Sequence, residues 1–428
     1  MVQAFTELRS VNVGALFYEV PISGVDWHSR ELLAVVLSLL NASAGRSGDM
    51  RQMTSLIEPL FACKPVLINS GRSALELALW RVWRHVGDRS RREILVPSLL
   101  CRAVPDKIVK CGFIPVFFDV DQQLSASPCA ALQAITPNTV AIVFPYLYGK
   151  TVNIGGLAAA CKERGIYLIE DCAASFLLRD NSGKLTGTTG DYAVFSFSVG
   201  KTLVAGAGGV LLDRTGISDA GADPLPAWSK SEECHLCLSK FTFILEYGWK
   251  TAAYIMSLTF GPRGRSFWKS TFDLMRPMPI VDARLVLAQA RRWESIYARK
   301  CQIIQRYAAN LRMSSDLRLP QYQPDGFVNR LFVQFPHPVL SRTENGLAES
   351  EVLRYLAKRG IQTQLSYYPL HRMQAFSHLF AGTLPQTDQF YESILEVPTQ
   401  PTLKDAQIDL VSEALLNYAK MRRPDEAR

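Results

Sequence analysis

The sequence lacks the segments that would predict a membrane protein or a secreted one. It has no stretch of about 18 uninterrupted apolar residues, so no helix is expected to span a membrane. The nearest approach, residues 241–260, is interrupted by Glu246 and Lys250. The first seven residues have no charged segment followed by an apolar one, so we expect no signal peptide.

Cysteine is too scattered to indicate a disulfide framework. The nine cysteines are an odd number and are spread over the whole chain, whereas small secreted domains pair a dense, even set. This predicts a reducing, cytoplasmic environment. Residues 234–237, Cys-His-Leu-Cys, resemble half of a zinc site. Because structural zinc needs four ligands and no second pair lies nearby in the sequence, we expect no metal.

The composition that is present is that of a globular protein with a substantial core. Of 428 residues, 48% are hydrophobic and 20% are charged, which excludes intrinsic disorder. The formal net charge of +8 is compatible with a phosphorylated or nucleotide-linked ligand, although a solvated basic surface explains it more simply. We find no helix-turn-helix with a basic recognition face, so a nucleic-acid partner is not expected.

The first half of the chain alternates short β-branched runs with segments of helical periodicity. Strands are expected at residues 66–68, 93–97, 114–120, 140–144, 166–169, 192–197 and 210–213. Helices are expected at residues 74–86, 103–110, 129–135 and 157–164. This alternation predicts an α/β fold with a mostly parallel central sheet flanked by helices.

The pattern changes after residue 213. We expect a loop at 214–236, an apolar helix at 237–260, one long helix at 282–311, and a smaller βαβ-like unit at the end of the chain. This predicts a large cofactor-binding domain at 1–275, with an inserted apolar helical segment at about 217–279, and a smaller C-terminal α/β domain at 276–428.

Three features of the first half of the chain are expected at the same edge of the sheet. Asp171 ends a strand, and Ser196 and Lys201 end another about thirty residues later. Residues 69–75 form a small-residue turn that leads into a helix, whose free N–H groups suit a phosphate. Ligands of open α/β sheets bind at the carboxyl ends of the strands.

Pyridoxal phosphate needs these three parts. A lysine amine bonds to the cofactor, a carboxylate keeps the pyridine nitrogen protonated, and an anion site holds the phosphate. An arginine could not replace Lys201, because its guanidinium stays protonated. Each feature alone is a weak signal, since such lysines and turns are common in loops, but their joint order makes chance a poor explanation.

The motifs resemble those of the DegT/DnrJ/EryC1/StrS family, which contains sugar aminotransferases of fold type I. The family's characteristic stretches are matched at residues 70–75, 96–98, 112–120, 146–149, 170–174, 187–209 and 367–371. The likeness extends from about residue 57 to residue 416. The order of Asp171, Ser196 and Lys201 is its most specific part.

The resemblance implies a role for each matched residue. Lys201 would hold pyridoxal 5'-phosphate and move protons, and Asp171 would pair with the pyridine nitrogen. Phosphate binding is implied for the turn and the nearby strand end, namely Gly71, Arg72, Ser73 and Ser196. Substrate contacts are implied for Tyr146, Tyr148, Tyr367 and His371. The family also implies a homodimer, an amino donor such as glutamate, and a keto-sugar nucleotide as the acceptor.

The chain departs from the family pattern at several of these positions. Cys101 replaces the aromatic residue that stacks on the cofactor ring, and Ala174 replaces the Gln or His three residues after Asp171. Met275 replaces an Asn that reaches in from the partner subunit, with Arg276 as a candidate substitute. These changes keep two alternatives open. One is a lipid-like or cyclitol ketone as acceptor, and the other is a catalytically degenerate, cofactor-binding regulator.

The apolar segment at 237–260 also allows two interpretations. It is a buried helix or dimer contact, or it is a surface that faces a membrane or an apolar substrate, as the basic residues at both ends would favour. On the second interpretation the helix lies at the rim of the active-site cleft and selects a lipid-linked or unusually apolar acceptor.

Overall fold

The computed structural model describes residues 18–22, 24–40, 46–217, 225–248, 271–324, 326–344 and 346–422. A seven-stranded sheet occupies the first half of the chain. Its strands are β1 (Pro65–Ile68), β2 (Glu93–Pro97), β3 (Ile114–Phe118), β4 (Thr139–Pro145), β5 (Tyr167–Asp171), β6 (Tyr192–Ser196) and β7 (Gly209–Asp213). They lie in the order β1-β7-β6-β5-β4-β2-β3.

The sheet is mostly parallel, as the sequence predicts. Strands β3, β2, β4, β5 and β6 pair in parallel, while β7 pairs antiparallel with both β6 and β1. All seven residues of β4 are buried, which is typical of a central strand covered by helices on both faces. Those helices include α1 (Ser29–Leu40), α2 (Arg46–Phe61), α3 (Gly71–His85), α4 (Ala103–Lys110), α5 (Pro128–Gln133) and α6 (Gly155–Glu163).

The segment directly after β7 differs from its prediction. Helix α7 spans Lys230–Gly248, so the expected loop at 214–236 is wrong from residue 230 onward. The Glu232 carboxylate accepts a hydrogen bond from the Ser229 N–H at 2.8 Å, and the Ser229 hydroxyl accepts one from the Glu232 N–H at 3.3 Å. This reciprocal capping starts the helix.

The single helix expected at 282–311 is in fact two helices, α8 (Ile280–Ala290) and α9 (Trp293–Leu311). Arg292 separates them with a non-helical backbone. Its guanidinium donates to Glu31 and Asp26 at 3.0 Å each, which ties the break to the start of the chain. The polar partners of Arg292 therefore hold a break between two helices that helical periodicity does not reveal.

The C-terminal part has a small antiparallel sheet where a βαβ-like arrangement was expected. Strand β8 (Leu331–Gln334) and strand β11 (Gln364–Leu365) both pair antiparallel with β12 (Ile394–Val397), a strand missing from the prediction. The remaining elements are β9 (Ser341–Thr343), β10 (Gly346–Glu349), α10 (Glu351–Ala357), α11 (Pro385–Ser393) and α12 (Asp405–Met421).

Two clusters of buried apolar side chains lie beneath these elements. The first surrounds the seven-stranded sheet, includes Val286 and Ile296, and takes in Leu370 and Ile394 from the end of the chain. The second lies between α9, α12 and the small sheet. The division into domains at residue 275 stays a prediction.

Helix α7 buries one face in the core. Phe243 and Ile244 are each 2% exposed, and α7 packs on α1 and α8. The Phe243 ring lies 5.8 Å from the Trp27 ring. The hypothesis of an exposed apolar surface is therefore wrong for Phe243 and Ile244, while residues 249–260 lie outside the described residues. No helix in the described ranges is long and apolar enough to cross a bilayer.

Candidate active site

Three strand ends meet at one edge of the central sheet. Asp171 ends β5 and Ser196 ends β6, and these two strands are parallel neighbours. Strand β1 runs in the same direction as β6, because both are antiparallel to β7. Its end at Ile68 therefore brings the turn at residues 69–73 to the same edge.

The turn after β1, at residues 69–73, packs closely against the end of β6. Ser70 caps helix α3, and its hydroxyl accepts a hydrogen bond from the Ser73 N–H at 3.1 Å. A Cβ at Gly71 would lie 2.6 Å from the Ser196 Cβ, so only glycine lets the helix come this close. The first-turn amides of α3 and the Ser196 hydroxyl thus form a place for an anion.

Lys201 lies in the loop that follows β6. Burial lowers the pKa of its amine below the ordinary value, while Asp171 acts to raise it. The positive charges of Arg330 and Arg72 lower it further. The neutral, nucleophilic form of the amine is therefore more populated than in an ordinary lysine.

Asp171 is the carboxylate of this cluster. Burial raises its pKa, which the positive charge of Lys201 and a hydrogen bond from the Ala173 N–H at 3.0 Å partly offset. A carboxylate in such a weakly screened place interacts strongly with a nearby cation.

Two tyrosines and an arginine form a wall where the C-terminal part meets the loop after β4. The rings of Tyr148 and Tyr367 stack 5.5 Å apart, and the Tyr148 hydroxyl lies 3.1 Å from the Ser366 hydroxyl. The Arg330 guanidinium lies 5.3 Å from the first ring and 5.7 Å from the second. Tyr367 also interacts electrostatically with Cys101, which belongs to the loop after β2.

Arg330 is absent from the sequence prediction. It forms an ion pair with Glu396 of β12, a residue 66 positions away. The one signal in the sequence is a charge directly before the apolar strand Leu331–Gln334. Such a charge needs a buried partner, and the sequence does not say which residue provides it.

Asn329 joins the C-terminal part to the loop that carries Lys201. Its side-chain amide donates to the Gly200 carbonyl, and its N–H donates to the Tyr148 carbonyl at 2.7 Å. The Lys300 amine donates to both the backbone and side-chain oxygens of Asn329, at 2.9 and 2.7 Å. Burial lowers the pKa of Lys300 to about 7.

Gly149 is the point where three loops of the site touch. Its φ is +85°, and a Cβ there would lie 2.7 Å from the Asn329 nitrogen and 2.8 Å from the Ala174 carbonyl oxygen. Both contacts are with backbone, so the loops close together only around a glycine. Ala174 is thus placed at this junction.

Two residues expected at the substrate have partners elsewhere. The Tyr146 hydroxyl donates to Glu170 at 2.7 Å, and burial raises its pKa. The His371 ring nitrogens lie 2.7 Å from the Ser98 hydroxyl and 3.3 Å from Asp388. Both side chains therefore have hydrogen-bonding partners within the chain, and their contact with substrate stays a prediction.

The half zinc site has no matching geometry. Cys234 is exposed and Cys237 is buried, so these two side chains have different environments. In the described ranges, no group of three or more His, Cys, Asp or Glu side chains could hold a metal.

Residues 61–225 and 249–416 match the model of the DegT/DnrJ/EryC1/StrS aminotransferase family. The chain belongs to this aminotransferase family. Between its two matched ranges the family model leaves out residues 226–248, which contain helix α7. The match is thus interrupted at the helix that packs on α1 and α8.

Curated relatives and solved structures agree with this assignment. GDP-perosamine synthase of Vibrio cholerae is 24% identical over 379 residues, which cover 88% of this chain and 92% of the relative. L-glutamine:2-deoxy-scyllo-inosose aminotransferase of Streptoalloteichus tenebrarius is 35% identical over 147 residues, 34% of each chain.

Among solved structures, the aminotransferase TlmJ from Streptoalloteichus hindustanus has a TM-score of 0.71 at 22% identity, covering 94% of this chain and 99% of its own. Spr1654 from Streptococcus pneumoniae in its PLP-form has a TM-score of 0.68 at 20% identity, with 94% and 99% covered. The fold is that of the fold-type I aminotransferases, as predicted.

Proposed function

We propose that this aminotransferase binds pyridoxal 5'-phosphate at Lys201 and transfers an amino group from an amino acid, with glutamate as the expected donor, to a keto-sugar nucleotide. The observation that carries the proposal is the electrostatic interaction between the half-buried Lys201 and Asp171, beside the close contact of Gly71 with Ser196. The residues present fit the cofactor, because amine, carboxylate and anion site meet at one sheet edge.

When bound, the cofactor supplies an electron sink for the carbon that loses a proton. Lys201 holds the cofactor and afterwards moves the proton at the substrate carbon. Asp171 keeps the ring nitrogen protonated, and its low-dielectric setting strengthens that interaction. Phosphate binding is assigned to the Ser196 hydroxyl and to residues 71–73, with Arg72 adding positive charge.

The ring-packing residues differ from the family pattern, and we assign them by position. Cys101 interacts electrostatically with Lys201 and Tyr367, which supports a place for its side chain next to the cofactor ring. The stacked pair of Tyr148 and Tyr367 forms an apolar wall that limits water near the reacting carbon. Ala174, at the Gly149 junction, leaves room where other members carry a larger side chain.

The acceptor class is supported by the relatives. GDP-perosamine synthase is named for a nucleotide-linked amino sugar, and its similarity extends over most of both chains. A cyclitol ketone is the second candidate, because the relative with the higher identity acts on 2-deoxy-scyllo-inosose. The modest positive net charge is compatible with the diphosphate of the first candidate.

We further propose a cytoplasmic homodimer. The nine cysteines are all unpaired, which agrees with a reducing compartment. Helix α1 exposes an apolar face at Leu33, Val36 and Leu37, which a second copy would cover. Arg276 donates to the Ala227 carbonyl of its own chain at 2.9 Å and lies 4.9 Å from the Trp228 ring, and its contact with the partner's phosphate stays a prediction.

One experiment tests the reaction and the acceptor together. The purified protein is loaded with pyridoxal phosphate, reduced with borohydride and mapped by peptide mass, and we expect the adduct on Lys201. The amino form, prepared with glutamate, is then mixed with keto-sugar nucleotides and with 2-deoxy-scyllo-inosose. Discharge by the cyclitol alone would replace the first acceptor class by the second. Absence of any adduct would overturn the proposed function.

A further inference from the structure

The roles above leave one buried lysine near the active site unassigned. Lys300 of helix α9 is 7% exposed, and its amine donates to both oxygens of Asn329, at 2.9 Å to the backbone and 2.7 Å to the side chain. Burial lowers the pKa of Lys300 to about 7, although Glu396 acts to raise it. Because a buried amine is unfavourable for folding unless it is hydrogen-bonded, the two bonds to Asn329 are what keep Lys300 in place.

The two bonds from Lys300 set the orientation of the Asn329 amide. An amine has at least two N–H groups in either protonation state, and both are bound by oxygen atoms of Asn329. With its oxygen turned toward Lys300, the amide has its nitrogen on the side of the Gly200 carbonyl and donates to it. In the opposite orientation the amide oxygen would lie against the Gly200 oxygen, and the Gly200 carbonyl would have no donor from Asn329. Lys300 therefore determines which end of the amide reaches Gly200.

The Gly200 carbonyl belongs to the peptide group that carries the Lys201 N–H. Because a peptide group is planar, a hydrogen bond to its oxygen also fixes the direction in which the Cα of Lys201 is attached. The side chain that holds the cofactor starts from this Cα. Asn329 therefore acts on the position of Lys201 across a single peptide group.

The loop around Lys201 is held at two points. Among the described residues, Asn329 is the one from outside the loop that hydrogen-bonds the backbone of residues 199–203. The second point is Val204, whose N–H donates to the Gln289 side chain at 2.9 Å and whose carbonyl accepts from it at 2.6 Å. Loss of the first point would allow the Lys201 amine to shift, and a misplacement of about 1 Å can lower a reaction rate by about 100-fold.

We propose that Lys300 is a positioning residue, which acts through Asn329 to hold the peptide group between Gly200 and Lys201 and so sets where the Lys201 amine lies. This inference rests on the proposed transamination, in which Lys201 acts in both half-reactions. Lys300 itself contacts neither cofactor nor substrate in this role. Its loss should therefore change the rates of both half-reactions and leave the KM values unchanged.

The first test compares Lys300→Met and Lys300→Arg with the wild type in the cofactor-loaded protein. Methionine has a similar length but donates no hydrogen bond, while the Asn329 carbonyl keeps the Thr399 hydroxyl as a donor at 3.2 Å. The substrates are glutamate and the keto acceptor that discharges the amino form. In Lys300→Met we expect both half-reactions to slow by about 10- to 100-fold, with both KM values within about twofold of the wild type. Lys300→Arg retains the donors and should recover part of the rate.

The second test does not depend on activity. Hydrogen exchange in the cofactor-free protein, followed by mass spectrometry, reports the opening of the loop peptide at residues 198–204. We expect its exchange to become at least about fivefold faster in Lys300→Met, as for the loss of one hydrogen bond. The matched control is Lys150→Met, because Lys150 is also buried and donates to a side-chain amide oxygen, that of Gln123, at 2.7 Å. This control should leave both half-reactions and the loop exchange within about twofold of the wild type.

Two variants at Asn329 separate this role from a purely structural one. Asn329→Asp keeps an oxygen for Lys300 and adds an opposite charge, but the ionised side chain cannot donate to the Gly200 carbonyl. We expect it to show the rate loss of Lys300→Met without a loss of stability in denaturant titration. The double variant Lys300→Met/Asn329→Ala should react at the rate of Asn329→Ala alone, within about twofold, because both changes interrupt the same contacts.

Several results would overturn the inference. One is wild-type rates of both half-reactions in Lys300→Met, and another is wild-type exchange of its loop peptide. Additive losses in the double variant would mean that Lys300 acts by a route other than Asn329. A defect confined to one half-reaction, with a raised KM, would make Lys300 a substrate contact. If the wild type transfers no amino group, the proposed function fails, and loop exchange alone then decides whether Lys300 holds the loop.

Discussion

The loop between β6 and β7 contains the half-buried Lys201 and is contacted by the buried Lys240, and the two lysines are held in different ways. Lys201 interacts electrostatically with Asp171, and burial lowers the pKa of the Lys201 amine. Lys240, from helix α7, reaches the other end of the loop, where it pairs with Asp282 at 2.7 Å and donates to the Ala205 carbonyl at 2.9 Å.

The difference shows that burial does not by itself make a lysine functional. At Lys240 the charge is paired and hydrogen-bonded, so the amine has a structural role that connects α7 to the loop and to α8. At Lys201 the carboxylate lies near, but burial and two additional cations favour the neutral amine. A lysine whose charge is paired and hydrogen-bonded connects elements of the fold. A lysine whose neutral form is favoured has an amine that can react.

The largest effect that separates the two lysines is expected in Lys201→Ala. Removal of the amine should leave the fold intact and lower transamination by at least about 1000-fold, the scale seen when a covalent catalytic group is lost. The measurement is steady-state rate together with borohydride fixation of the cofactor, and circular dichroism serves as the folding control. Retained fixation in this variant would show that another lysine holds the cofactor.

Asp171→Asn should have the next largest effect. Asparagine keeps the shape of the side chain but cannot hold the proton on the ring nitrogen. We expect the cofactor to bind while both half-reactions slow by about 100-fold, the scale of single electrostatic or acid–base groups. Stopped-flow absorption measures each half-reaction. Near-normal rates would remove Asp171 from the role of ring partner.

At the structural lysine the expected effect falls on stability. Lys240→Met leaves the Asp282 carboxylate buried without a partner, which should cost about 3–5 kcal/mol of the free energy of unfolding. The rate constant per folded, cofactor-loaded molecule should stay within about twofold of the wild type. Denaturant titration and activity corrected for cofactor content provide these values. A 100-fold loss of rate at full stability would reverse the comparison.

The smallest effect is expected in the pH dependence of cofactor attachment to Lys201. Because the folded state lowers the pKa of Lys201 below the usual 10.5, its neutral form is present between the lowered value and 10.5, where an ordinary lysine is protonated. In this window the unfolded chain binds one more proton at Lys201 than the folded chain does, so the free energy of unfolding rises with pH. Cofactor attachment to cofactor-free protein should rise with pH with a midpoint below 10.5. A midpoint at 10.5 would mean that Lys201 is solvated like a surface lysine.

Elements that depend on local pattern are the ones that the sequence predicts well. Strand β2 and helix α4 have their expected bounds, Glu93–Pro97 and Ala103–Lys110. Asp171, Ser196 and Lys201 meet because parallel strands bring their carboxyl ends to one edge, which the alternation of elements already implies. Topology therefore suffices for this part of the site.

The parts that the sequence does not predict depend on distant partners. Arg330 and Lys300 acquire their environments from Glu396 and Asn329, through contacts that no local period encodes. Tyr146 illustrates the reverse case, because its motif points to substrate while its hydroxyl is bound to Glu170. A motif predicts which residue is important, but the side chains that pack around that residue determine what it contacts.

The glycine at position 149 has a consequence for how this enzyme can be diversified. No side chain fits between the Asn329 nitrogen and the Ala174 carbonyl, so the position cannot serve as a starting point for new specificity. Cys101 is different, because it is a small, half-buried residue close to Lys201 and Tyr367. In a directed-evolution library, position 101 can be randomised, whereas position 149 is best held constant.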